Sequence, residues 1–148
     1  MSIKIKLAEK AKDVEKVLNY FLYIREPKKL YEAMAHIPLA GGKRLRPLMA
    51  QLTCEMVGGE GSKCIPFAAA LEVIHNFTLV HDDVMDEAET RRGIEAVNHR
   101  WGNLTAILAG DFLLAKASEL AASLGTEVAE LLAATIGRLC EGQGRGYP

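Results

Sequence analysis

The stretch from Ala68 to Gly93 constrains the fold most, because it joins a long apolar segment to a dense cluster of charge. Residues 68–80 are mainly apolar and predict a buried helix. The acidic segment HDDVMDEAE and the adjacent Arg91 and Arg92 follow almost at once. Clustered carboxylates at the end of a buried helix are costly unless a cation compensates them. The stretch therefore predicts a helix that ends in a cation-binding site.

The spacing of the acids places two of them on one face of that helix. Asp82 and Asp86 are about one turn apart, whereas Asp83 lies roughly 100° around the helix from Asp82. Like charges at this spacing repel each other, and carboxylate oxygens suit a hard cation such as Mg²⁺. The alternative is a solvated acidic helix end whose arginines complement the helix dipole. The apolar run before the acids and the arginines after them favour the metal site.

Residues 41–47, GGKRLRP, form the second informative stretch. The glycines interrupt one helix, and Pro47 predicts the first turn of the next. Lys43, Arg44 and Arg46 therefore stand near a helix N-terminus, where an anion gains from the cations and from free backbone N–H groups. The alternative is an exposed basic loop. Together with the acidic stretch, GGKRLRP predicts a phosphate-binding loop.

Four segments of the chain, in this order, resemble one family. GGKRLRP resembles the basic motif of the trans-isoprenyl diphosphate synthases, the polyprenyl synthetase family, and HDDVMDEAETRRG (81–93) resembles their first aspartate-rich motif. AILAGDFLLAKA (106–117) and EGQ (141–143) resemble two later segments. The matches correspond to the N-terminal half of a family member. The resemblance implies an all-α antiparallel bundle, the N-terminal half of the isoprenoid synthase fold.

The resemblance also implies roles for individual residues. Asp82 and Asp86 match the Mg²⁺ ligands, with Asp83 as a supporting ligand, and Arg91 matches the arginine that binds the allylic diphosphate. These residues are the catalytic candidates, because metal and arginine stabilise a leaving diphosphate. Four residues match positions that hold isopentenyl diphosphate: Lys43, Arg46, His75 and Arg92. Without the resemblance, His75 would be interpreted as a core histidine.

Two residues before the acidic motif match positions that set the depth of a tunnel for the growing prenyl chain. Phe77 and Thr78 lie five and four residues before Asp82. A large, rigid Phe77 beside a small Thr78 implies, by the resemblance, a geranylgeranyl- or farnesyl-length product. The alternative is that Phe77 is a core aromatic.

Composition sets the wider class. Leu, Ala, Glu and Lys dominate and strand patterns are few, so the 148 residues are interpreted as a single helical domain, 1–148. A net charge of −1 argues neither for nor against a nucleic-acid or membrane partner, and we expect no nucleic-acid partner. We expect no transmembrane segment and no signal peptide. The three cysteines follow no zinc-site spacing and predict reduced thiols in a cytoplasmic protein.

Hydrophobic periodicity and the placement of proline and glycine predict where the helices lie. The predicted helices cover residues 7–24, 45–57, 104–124 and 126–142, with a shorter one after Pro27 and a central one that opens at Pro66. Residues 94–103 are expected to form a loop. Asp111 is expected either to line the outer wall of the site or to pair with Lys116, and the pairing is favoured.

The family's second aspartate-rich motif is not among the 148 residues, and after EGQ the chain reads GRGYP. We therefore expect a fragment, a truncated product or a half-protein with little turnover alone. Residues 71–79 and 107–114 predict apolar faces through which it forms a homodimer or a swapped oligomer. Two alternatives remain: a non-catalytic subunit, and a class I terpene cyclase, which shares an acidic helix motif but needs no second diphosphate site.

Overall fold

A computed structural model describes residues 3–146, with side-chain environments from residue 8 onward. Within that range the chain forms seven α-helices: α1 (Ile3–Phe21), α2 (Lys28–Leu39), α3 (Leu45–Met56), α4 (Ile65–Met85), α5 (Val97–Trp101), α6 (Asn103–Ala122) and α7 (Thr126–Gly144). A 3₁₀ turn (Gly61–Cys64) precedes α4, and two short antiparallel strands, β1 (Thr90–Arg91) and β2 (Ile94–Glu95), join α4 to α5. The all-α prediction is confirmed.

The central helix α4 packs mainly against α6, and also against α1 and α3. Small buried residues such as Ala69 on α4 and Ala109 on α6 allow the two backbones to approach closely. At Gly110 on α6, the His81 ring occupies the space that a side chain would need, because a Cβ atom there would lie 2.2 Å from Nε2 of His81. Larger side chains such as Leu113 fill the remaining core, each contributing about 1.5–3 kcal/mol through burial.

The apolar stripe of α1 is buried as predicted. Val14, Leu18 and Leu22 recur at helical spacing and are fully buried against the core. The helix ends at Phe21, three residues earlier than predicted, and Leu22 closes the last turn by donating its N–H to the Leu18 carbonyl. The stripe fixes α1 across α3 and α4, so that its Glu15 side chain reaches the basic loop described below.

Two sequence-based expectations about regular structure need correction. Residues 94–103 contain β2, the short helix α5 and the start of α6 rather than a loop. At the other end of the chain, α7 continues to Gly144, two residues beyond the predicted boundary. Both errors fall where elements are only a few residues long or where the last turn of a helix frays, which propensity alone describes poorly.

One helical segment could cross a membrane by length and composition alone, and the expectation of no transmembrane segment stays a prediction. This segment is Gly61–Met85, and 44% of its apolar window is buried inside the structure. The core helix of a folded domain passes the same test, and α4 occupies that central position here. Of the faces expected to be uncovered, α6 exposes Ile107 (43%) and Leu108 (54%). The oligomeric state stays a prediction.

Candidate diphosphate and metal site

The acidic cluster lies where α4 ends. Asp86 caps the helix, and Glu87 adopts a left-handed conformation with φ of 52°. The Ala88 N–H donates to the Asp83 carbonyl at 2.9 Å and the Glu87 N–H to the Val84 carbonyl at 3.4 Å, which is a Schellman motif. The acidic side chains therefore stand at the negative end of the helix dipole, where a cation is needed to compensate them.

Asn98 on α5 fastens this acidic turn. Its side-chain Nδ2 donates to the carbonyl of Asp83 at 3.1 Å and to that of Ala88 at 2.9 Å. Both carbonyls belong to the turn that ends α4, so the amide fixes the turn against α5. The contribution of Asn98 was not predicted, because its two acceptors become its neighbours only after the hairpin reverses the chain.

Asp82 and Asp86 form the accessible part of the cluster. Asp82 is half-buried and Asp86 is exposed. Burial, followed by the negative charge of Asp86, raises the pKa of Asp82, while Arg91 and His81 oppose the rise. Within residues 3–146 no group of three or more such ligands converges on one point. Two oxygen ligands with open surroundings fit Mg²⁺, whose shell is commonly completed by water and substrate phosphates.

Asp83 occupies a different environment from its two acidic neighbours. Its side chain is fully buried, and Oδ1 accepts hydrogen bonds from Nε of Arg91 at 2.9 Å and from Nη2 of the same residue. Hydrogen bonding to Asp83 raises the pKa of Arg91. Oδ2 of Asp83 is buried and has no hydrogen-bond partner among the described residues. Asp83 thus lies beneath Arg91 and not on the face that carries Asp82, as its angular offset requires.

In the hairpin formed by β1 and β2, the side chains of Arg91 and Arg92 point toward opposite ends of the site. Arg92 and Gly93 at its tip have φ of 53° and 80°, the positive values that a type I′ turn requires at both central positions. Arg91 faces the acidic turn, whereas Nη1 of Arg92 donates to the Gly41 carbonyl at 3.0 Å. Nη2 of Arg92 lies 3.4 Å from Nε2 of His75. The turn therefore connects the basic loop to α4.

A basic cluster forms around His75. Burial lowers the pKa of His75, as do the nearby charges of Arg46, Arg92 and Arg91, and Glu72 opposes them. Lys43 is exposed on the loop that precedes α3, and Arg46 is exposed in the first turn of α3. The structure thus brings Arg46, His75 and Arg92 together, with Lys43 on the loop just before α3, and an anion would relieve the mutual repulsion of these cations. His75 lies seven residues, or about 10 Å, along α4 from Asp82.

Arg44 does not join this cluster, which corrects the expectation that all the cations of GGKRLRP face an anion. Its side chain is buried, with Nε bonded to Glu15 at 2.6 Å and Nη1 bonded to Glu72 at 2.9 Å. Both partners lie more than 25 residues away in sequence, so local pattern could not identify them. Arg44 is a structural cation inside the basic loop.

Of the two predicted chain-length residues, Phe77 lies on the side of α4 that faces α6, through its contact with His81. Phe77 is half-buried and meets the ring of His81 edge to face, with centroids 4.8 Å apart. Nε2 of His81 in turn bonds the Ile107 carbonyl on α6 at 3.1 Å. Thr78 is half-buried, and its hydroxyl donates to the His75 carbonyl at 2.8 Å. Whether Phe77 and Thr78 limit product length stays a prediction.

The favoured pairing of Asp111 with Lys116 is wrong. Lys116 binds Glu119 at 2.8 Å, whereas Oδ1 of Asp111 lies 3.7 Å from Nε2 of His81. Asp111 therefore faces the helix that carries the acidic cluster, as its alternative interpretation required. Glu119 is three residues from Lys116 on α6 and so lies on the same side of the helix, whereas Asp111, five residues away, does not.

Comparison with known proteins agrees with this geometry. The polyprenyl synthetase family matches residues 27–146. The geranylgeranyl diphosphate synthase of Methanosarcina mazei is 38% identical over 97% of this chain and 46% of its own length. The geranylgeranyl pyrophosphate synthase of Geoglobus acetivorans is 43% identical over 93% of this chain and 45% of its own length. A solved structure, the geranylgeranyl pyrophosphate synthetase of Pyrococcus horikoshii, has a TM-score of 0.88 and 44% identity, covering 95% of this chain and 45% of that chain.

The chain thus spans about half the length of the curated relatives that it matches. The family match over residues 27–146 includes both the basic motif and the acidic motif of this chain. This prenyl diphosphate synthase family is generally dependent on Mg²⁺. The chain belongs to the polyprenyl synthetase family.

Proposed function

We propose that this chain forms the diphosphate-binding part of a prenyltransferase that joins isopentenyl diphosphate to an allylic diphosphate. The contact of Arg92 with both the Gly41 carbonyl and His75 carries the proposal, because it gathers three separate segments around one basic cluster. An acidic cluster lies about 10 Å away along α4. Two anionic substrates must be held side by side, and two distinct charged clusters provide for them.

The acidic end of the site is proposed to hold Mg²⁺ through Asp82 and Asp86. The raised pKa of Asp82 reflects burial and the repulsion from Asp86, and a divalent cation relieves both. When bound, Mg²⁺ neutralises the charge that develops on a leaving diphosphate. Asp83 was predicted as a supporting ligand, but its burial beneath Arg91 supports a different task, the orientation of that arginine.

Arg91 is proposed to bind the allylic diphosphate. Asp83 accepts hydrogen bonds from Nε and Nη2 of Arg91, and the remaining guanidinium nitrogen, Nη1, is proposed to donate to the anion. The ion pair fixes the direction of the guanidinium before substrate arrives, so no ordering cost falls on the reaction step. Arg91 thus stabilises the diphosphate as the allylic C–O bond breaks and its electron pair moves to oxygen.

Lys43, Arg46, His75 and Arg92 are proposed to hold isopentenyl diphosphate. They orient its double bond toward the allylic cation, and the new carbon–carbon bond forms as the double bond attacks. Loss of a proton then restores a double bond, and the product is one isoprene unit longer. The lowered pKa of His75 reflects burial and the surrounding arginines, which an added diphosphate would neutralise.

The product and the assembly are part of the same proposal. The relatives from Methanosarcina mazei and Geoglobus acetivorans, both named as geranylgeranyl synthases, support a geranylgeranyl-length product. The single helical domain is proposed to complete its site with further protein, since the relatives are about twice as long. A cytoplasmic location is supported by the three cysteines, none of which forms a disulfide in the described part of the chain.

A fusion of this chain to the C-terminal half of the Pyrococcus horikoshii relative tests the proposal. Incubation with Mg²⁺, isopentenyl diphosphate and geranyl or farnesyl diphosphate is expected to give elongated prenyl products. Arg92→Ala should lower kcat/KM for isopentenyl diphosphate about 10- to 100-fold, the range expected for one charge-assisted hydrogen bond. Arg25→Ala, at an exposed arginine outside the site, is the matched control. No product from any primer, or equal effects of the two variants, would contradict the proposal.

A further inference from the structure

Arg44 differs from the other cations of the basic loop in being buried. Its residue is 3% exposed, whereas Lys43 and Arg46 on either side are exposed. A buried guanidinium is costly unless its donors are satisfied and its charge is compensated. The contacts of Arg44 meet both conditions, which is why its position in the loop is fixed.

The guanidinium of Arg44 joins three parts of the fold. Nε donates to Glu15 on α1 at 2.6 Å, and Nη1 donates to Glu72 on α4 at 2.9 Å. Nη2 donates to the Pro38 carbonyl at the end of α2 at 2.7 Å. Burial lowers the pKa of Arg44, but hydrogen bonds and charge from Glu15 and Glu72 outweigh burial and raise it, so the group stays charged.

The backbone of Arg44 is also unusual. Its φ is 48°, in the left-handed region that an L side chain disfavours, at the residue that precedes α3. This turn directs the Arg44 side chain into the interior while Lys43 and Arg46 remain on the surface. The ion pairs of the buried side chain therefore hold a conformation that the loop would not favour by itself.

The Gly41 carbonyl links Arg44 to the substrate-facing arginine. It accepts a hydrogen bond from Nη1 of Arg44 at 3.4 Å and one from Nη1 of Arg92 at 3.0 Å. The two guanidiniums also flank Gly42, where a Cβ atom would lie 3.1 Å from Nη1 of Arg44 and 3.3 Å from Nη1 of Arg92. Glu72, the buried partner of Arg44, lies three residues before His75 on α4, so one network spans loop, hairpin and helix.

We propose that Arg44, held by Glu15 and Glu72, is a positioning residue for the isopentenyl diphosphate site. The inference rests on the function proposed above and adds the device that orients its basic cluster. By fixing the Gly41 carbonyl, Arg44 places Arg92 against His75 and turns Lys43 and Arg46 toward the same anion. Through Glu15, helix α1 takes part in substrate binding although it contributes no contact to the substrate.

Titration calorimetry of isopentenyl diphosphate into the 148-residue chain tests this role with Glu15→Ala. The Glu15 side chain is 36% exposed, and its removal leaves the Arg44–Glu72 pair in place, so the variant is expected to fold. By charge alone, removing a carboxylate near an anion site should strengthen binding. Positioning predicts the opposite sign, a loss of about tenfold, since small misplacements of binding groups cost that much or more. Glu9→Ala, at an exposed position of the same helix, is the control for charge.

A second variant, Arg44→Lys, keeps the positive charge but loses the planar fork that reaches Glu15, Glu72 and Pro38 together. It should also weaken binding about tenfold, while Mn²⁺ affinity at the acidic cluster stays within twofold of wild type. Glu15→Ala that binds isopentenyl diphosphate as tightly as Glu9→Ala overturns the inference alone. A wild-type chain that binds no isopentenyl diphosphate overturns the proposed function, and this inference with it.

Discussion

Arg91 and Arg92 are adjacent in sequence, but replacing them with alanine is expected to have very different effects on stability. Arg91 compensates the carboxylate of Asp83, whose side chain is 0% exposed. Arg92 is exposed and donates to the Gly41 carbonyl. Arg91→Ala leaves a buried charge without its counter-ion, whereas Arg92→Ala removes a hydrogen bond at the surface.

The structure sets the magnitude of the difference. Removing one partner of a buried ion pair costs about 3–5 kcal/mol. Because the Arg91 side chain is 29% exposed, the lower end of that range applies, about 3 kcal/mol. In a chain of this size each kcal/mol lowers Tm by about 2–4 °C, so Arg91→Ala should lower it by about 6–12 °C. Arg92→Ala should cost about 0.5–1 kcal/mol.

Asp83→Asn separates the loss of the Asp83–Arg91 ion pair from the cost of leaving a buried carboxylate without its counter-ion. The amide keeps Oδ1 as an acceptor for Arg91, and its nitrogen replaces Oδ2, which has no hydrogen-bond partner among residues 3–146. The variant leaves a charge only on Arg91, which reaches water. Asp83→Asn should therefore cost less than Arg91→Ala. In the Asp83→Asn background, Arg91→Ala should add only about 1 kcal/mol, a strongly non-additive result.

Urea unfolding followed by circular dichroism at 222 nm measures the free energies of unfolding of the wild type and of the four variants. The result that would refute this reasoning is an Arg91→Ala variant whose free energy of unfolding lies within about 0.5 kcal/mol of that of Arg92→Ala, the ordinary range of a surface substitution. Additive costs in the double variant would refute it as well, because they would mean that Asp83 and Arg91 act independently.

Three further predictions concern the site. Asp82→Asn should stabilise the fold at pH 7 but not near pH 3, because the pKa of Asp82 is raised in the native state and its ionisation therefore costs stability as the pH rises. Urea unfolding that gives the same ΔΔG at both pH values would count against this. Isopentenyl diphosphate should raise the lowered pKa of His75, so that binding takes up a proton and tightens from pH 8 to pH 6. Calorimetry in two buffers should show that this pH dependence of binding is weakened in His75→Gln, and an unchanged pH dependence would exclude His75 as its source. Phe77→Ala in the fusion described above should give longer prenyl products by chromatography, and an unchanged length would remove Phe77 from the tunnel floor.

The helices that pack the core were predictable because their signals are local. The stripe of α1 and the opening of α4 at Pro66 follow from spacing and from proline geometry, and the structure has both. The end of α4 was harder to predict from the sequence, because Glu87 takes the left-handed position that glycine commonly fills. The hairpin was missed since each of its strands has only two residues.

The candidate site was predictable in its composition but not in its internal division. Spacing put Asp82 and Asp86 on one face, and the structure keeps Asp83 off it. The burial of Arg44 could not be predicted, because Glu15 and Glu72 are brought to it by the packing of α1 and α4. The roles of such charged residues depend on tertiary neighbours, which a local pattern does not contain.

The central claim is that one surface carries two separate sites, an acidic one for a divalent cation and a basic one for isopentenyl diphosphate. Titrating the 148-residue chain with Mn²⁺ by electron paramagnetic resonance, and with isopentenyl diphosphate by calorimetry, tests it directly. Arg92→Ala should weaken isopentenyl diphosphate binding at least about tenfold and leave Mn²⁺ affinity within twofold. Asp82→Asn combined with Asp86→Asn should do the reverse. If either variant weakens both ligands equally, or neither ligand binds the wild-type chain, the two-site account is contradicted.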